Sequence, residues 1–101
     1  MKKVEKIKQA FRDMDTRLYQ AEKDLEEVIQ FRKRLKEISK NMKVLQDFYH
    51  SDVWMKGRDI LYGNIQENEH FYSVREDPIW NTTQDFYIQK IKLLQQLAKE
   101  L

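Results

Sequence analysis

Apolar residues recur along the first half of the chain at steps of three and four: Val4, Ile7, Phe11, Met14, Leu18, Ala21, Leu25 and Val28, then Phe31, Leu35, Ile38, Met42, Leu45 and Tyr49. That spacing lines one face of a helix and is the spacing of a coiled-coil seam. The stretch 4–49 therefore reads as one long coiled-coil-like helix or a bent helical hairpin. The rhythm slips once, because Leu25 to Val28 and Val28 to Phe31 are both steps of three. A slip of this kind overwinds a seam locally, kinks it or changes its partner.

A straight helix over this stretch would run roughly 70 Å, whereas a compact domain of about 100 residues has a radius of gyration near 13 Å. The seam must therefore fold back, pair with a second chain, or be covered by the C-terminal half. No Gly or Pro occurs before Gly57. If the helix breaks, the first expected place is Ser39–Asn41, where Ser and Asn side chains compete for backbone hydrogen bonds, and the second is Val28.

The pattern changes character from Leu45 onward, where nine of the twelve aromatic residues lie beyond position 47. Ser51 before Asp52 has the form of a helix N-cap and predicts a short helix over 51–62, ended by Gly63 or Asn64. The polar run 63–76 reads as a connector. Ser73 to Glu76 has the form of a capping box, and Asp77–Pro78 that of an N-cap followed by a first-turn proline. Because proline disfavours helical geometry in the residue before it, the last helix is expected to span 77–101 with Asp77 as its cap, after a single turn at 73–76. There Trp80, Tyr87, Ile91, Leu94, Ala98 and Leu101 make a stripe, widened by Ile79, Phe86, Ile88, Leu93 and Leu97 into more than half the circumference. The expectation is an all-α fold in a single domain, 1–101.

Composition agrees with few, long helices: 101 residues, 36% charged, two Gly and one Pro. No run is apolar enough to span a membrane, and the Lys-rich start lacks the apolar stretch of a signal peptide. A cytoplasmic location is expected. The net charge of +2 is divided unevenly, with a basic first half and an acidic second half. This asymmetry is too weak for phosphate-driven binding, so nucleic acid is not the expected partner. Within the seam an acidic block (Glu22, Asp24, Glu26, Glu27) precedes a basic one (Arg32, Lys33, Arg34, Lys36), and antiparallel pairing of two copies, or a hairpin, would oppose them.

Chemistry-bearing residues are few. With no Cys, thiol chemistry and disulfides are excluded. His50 beside Asp52, and His70 near Glu67 and Glu69, lack the spacing of a zinc motif. Ser51 and Ser73 have capping roles in place of nucleophilic ones. No catalytic, cofactor or metal residues are assigned, and no enzymatic activity is expected. The candidate residues are those of an interaction seam, Phe11, Met14, Leu18, Leu25, Val28, Phe31 and Leu35, and of an aromatic joint, Phe48, Tyr49, Trp54, Trp80 and Tyr87. Trp54 reads as core more readily than as a partner anchor.

The long helix leading into Phe48, Tyr49, Ser51 and Trp54, followed by Tyr72, Ser73, Glu76, Asp77 and Trp80, resembles a family of small bacterial proteins of unknown function. In that family an aromatic pair, a Ser and a Trp precede a Ser-Glu-Asp element that opens the last helix. The resemblance covers about half the chain, from Leu45 to Trp80. It implies a small all-α cytoplasmic bacterial protein and assigns no reaction or ligand.

Two functional classes follow. The leading one is a non-catalytic protein-interaction module acting as a homodimer or on a protein client, because two apolar stripes have little else in the chain to cover them. The alternative is a small inhibitor of immunity-protein or antitoxin type, which size and charge balance allow. A nucleic-acid-associated regulator ranks below both.

Overall fold

The computed structural model describes all residues, Met1–Leu101, and contains three α-helices, one 3-10 turn and no strand. The first helix, α1, spans Lys2–Tyr49 without interruption. Neither expected break occurs. Ser39 and Val28 are both helical, because 48 residues without Gly or Pro leave every backbone donor beyond the first turn a partner four residues back.

Helix α2 spans Asp52–Tyr62. Ser51 takes extended backbone angles, and its side chain accepts a hydrogen bond from the Trp54 N–H at 3.3 Å, which is the predicted N-cap. The Ser51 hydroxyl also donates to the Phe48 carbonyl at 2.6 Å, so one side chain ends α1 and starts α2. At the other end Gly63 keeps right-handed helical angles, its N–H donating to Asp59, while the Asn64 amide donates to the Ile60 carbonyl at 2.7 Å. Asn64, and no left-handed glycine, supplies the side-chain cap.

A 3-10 turn occupies Tyr72–Val74, and α3 spans Glu76–Glu100. Asp77 is not the cap: Arg75 precedes the helix without a side-chain capping bond, and Glu76 and Asp77 lie in the first turn. Asp77 is helical despite the proline that follows it, and the missing N–H of Pro78 costs the helix no bond, because it falls among donors that have no intrahelical partner anyway. The two carboxylates also suit the positive end of the helix dipole. Ser73 likewise caps nothing in α3; it sits inside the 3-10 turn.

By compactness the chain divides into two units, Met1–Ile38 and Ser39–Leu101. The first consists of α1 residues after Met1 and has no buried side chain. The second holds the core: Trp54, Ile79 and Thr83 are buried, and Ile38's successors Met42, Leu45 and Tyr49 are half-buried. On α3 the inward line is therefore Ile79, Thr83 and the half-buried Phe86, while Trp80 and Tyr87 of the predicted stripe are exposed. No helix is long and apolar enough to cross a membrane.

Candidate interaction surface

The aromatic joint forms where α1 meets α2. Tyr49, the last residue of α1, lies 4.3 Å from Trp54 between ring centroids, and 6.2 Å from Trp80 at the start of α3. Three of the five predicted joint residues are thus brought together. Phe48 lines an open cavity of about 400 Å³ together with Trp54, Phe71 and Val74. Tyr87 lies farther along, at a groove shared by Ser39, Met42 and Lys43 of α1 with Thr83 and Lys90 of α3.

Trp54 is the pivot. Only 8% of its surface is exposed, and its indole Nε1 donates to the Ser73 carbonyl at 2.8 Å. One helical turn on, Arg58 stacks its guanidinium 4.4 Å from the Trp54 ring and donates through Nε to the Val74 carbonyl at 3.0 Å. The two side chains fasten α2 to the 3-10 turn. Arg58 was absent from the predicted joint; its spacing of four from Trp54 was the signal that could have found it. The Thr83 hydroxyl donates to the carbonyls of Ile79 and Trp80, so this buried polar group is satisfied within its own helix.

The predicted seam has a different character. Phe11, Met14, Leu18, Leu25, Val28 and Phe31 are all exposed, and only Leu35 is half-buried. Val28, at the slip, is 62% exposed and Leu25 60%. Polar side chains on the same stretch bond along their own helix, Gln9 to Asp13, Gln20 to Asp24 and Gln30 to Glu26, each at 2.8 Å. These i, i+4 pairs support the helix but do nothing to cover its apolar row. His50, His70 and the nearby carboxylates do not gather: no group of three or more His, Asp or Glu side chains could hold a metal ion.

A family model for a domain of unknown function, DUF4298, matches residues 11–97. The chain belongs to the DUF4298 family. The match takes in most of the seam, the whole joint and nearly all of α3. It bears out the expected membership in a family of small helical proteins without an assigned function. No curated protein and no solved structure matches the chain.

Proposed function

We propose that this DUF4298 protein is a non-catalytic, cytoplasmic helical module that works by protein–protein association, with a second copy of itself as the partner. The observation that supports this reading is the row from Val4 to Phe31: eight large apolar residues at seam spacing, all exposed on a helical stretch that has no second layer. Isolated surface leucines are ordinary, but a continuous exposed row is a hallmark of an association face. A helix without tertiary cover is also marginal in water, and association supplies the missing packing.

Sedimentation velocity over a concentration series tests the reading. The protein is expected to sediment at twice its chain mass at micromolar concentration. Leu18→Asp together with Leu25→Asp is expected to return it to monomer while tryptophan fluorescence stays unchanged. A wild-type protein that is monomeric at high concentration overturns the self-association.

A further inference from the structure

The two-sided spacing around Val28 defines a register. Counting outward, Leu25 and Phe31 lie three residues away, Ala21 and Leu35 seven, Leu18 and Ile38 ten, Met14 and Met42 fourteen, and Phe11 and Leu45 seventeen. The slip, which breaks any regular heptad, is thus the centre of a palindrome. We propose that two copies pair their α1 helices antiparallel with Val28 on the two-fold axis, so that the N-terminal half of each seam packs on the C-terminal half of the other. The proposal rests on the self-association reading and adds its direction and register.

Three observations carry it. First, among antiparallel registers this one lays the two slips opposite each other. The local overwinding then occurs at the same level in both helices, and every other layer pairs one seam with the other at matching steps. Second, the charges agree. In antiparallel pairs the residues flanking the seam on one side meet their counterparts on the same side of the partner. Glu22 then comes within about 3 Å of level with Arg32 on the same side of the second copy, and Asp24 likewise with Arg34, each twice by symmetry. A parallel register instead sets the acidic stretch level with the acidic stretch. Third, there is room. In the second unit, α3 covers the seam from the side of Ser39 and Gln46, both half-buried, while Asn41 and Phe48 on the opposite flank are exposed. Val28, Leu25 and Phe31 at the centre are exposed as well.

The chain has no cysteine, so an introduced pair reports the register cleanly. Leu25→Cys in one copy and Phe31→Cys in a second, size-tagged copy are mixed and mildly oxidised, with circular dichroism checking that each stays helical. The mixed covalent dimer is expected, and neither variant alone should cross-link. Leu25→Cys linking to itself would mean a parallel pair and overturn the proposal. A wild-type dimer by sedimentation with no mixed product would overturn the register while leaving self-association standing; a wild-type monomer would overturn both. A second test leaves the seam intact. Glu22→Arg with Asp24→Arg is expected to weaken the dimer about tenfold or more, and adding Arg32→Glu with Arg34→Glu to the same chain to restore it. Residues ten apart on a helix are about 15 Å apart and cannot compensate within one chain. Failure to restore overturns the pairing.

Discussion

Trp54 reaches nineteen residues along the chain to hold the Ser73 carbonyl, its Nε1 donating at 2.8 Å. The ring that makes this bond also stacks on Tyr49 and under Arg58, so a single side chain ties α1, α2 and the 3-10 turn. Replacing Trp54 with Phe keeps much of the apolar area but removes the donor. The expected loss is about 1–2 kcal/mol, or a fall in Tm of about 5–10 °C. Trp54→Ala should cost about 3–5 kcal/mol. Thermal unfolding followed at 222 nm checks both, and equal losses for the two variants would mean that the hydrogen bond carries the site.

Ser51 serves two helices. Ser51→Ala is expected to lower stability by about 1 kcal/mol, and Ser51→Asp to recover most of it, because an aspartate oxygen also accepts from the first-turn N–H groups. Urea unfolding midpoints measure the difference. An Ala variant as stable as wild type would show that the cap is dispensable.

Ile79 and Thr83 are nearly equally buried, at 4% and 3% exposure, yet their substitutions should differ. Ile79→Ala opens a cavity and is expected to cost about 2–4 kcal/mol. Thr83→Val conserves shape, and the carbonyls that the hydroxyl reaches belong to the helix ladder already, so a change under about 1 kcal/mol is expected. Denaturant titration of both variants separates packing from hydrogen bonding at this position.

Hydrogen exchange should divide the chain at about the same place as its compactness does. At concentrations where the protein is monomeric, amides of residues 5–35 are expected to exchange much faster than those of residues 53–60 and 80–90, because an uncovered helix opens by fraying while a packed one opens with its core. Protection over 5–35 should rise as concentration rises. Equal protection in the two regions at all concentrations would contradict the absence of tertiary cover on residues 5–35.

Much of this fold is written in local spacing. The three helices follow from apolar steps of three and four, and the Ser51 cap from a side chain acting on its immediate neighbours. What depends on distant partners was less legible. Because α3 is apolar over more than half its circumference, its sequence could not say which side turns inward, and the choice fell on Ile79 and Thr83 in place of the Trp80–Tyr87 stripe. The start of α3 was misplaced because the rule for residues before proline competes with the tolerance of proline in a first turn. Ser73 was read as a cap from its side-chain type, whereas the atom that matters is its carbonyl, which every residue possesses.

Both long-range bonds of the joint, from Trp54 and from Arg58, end on main-chain oxygens, those of Ser73 and Val74. Mutation can exchange the side chains at 73 and 74 without removing either acceptor. It cannot exchange the donors so freely, since indole and guanidinium groups have few substitutes of equal reach. Drift among related chains is therefore expected to be lopsided at this fastening, with the gripping residues held in place and the gripped ones at liberty to change.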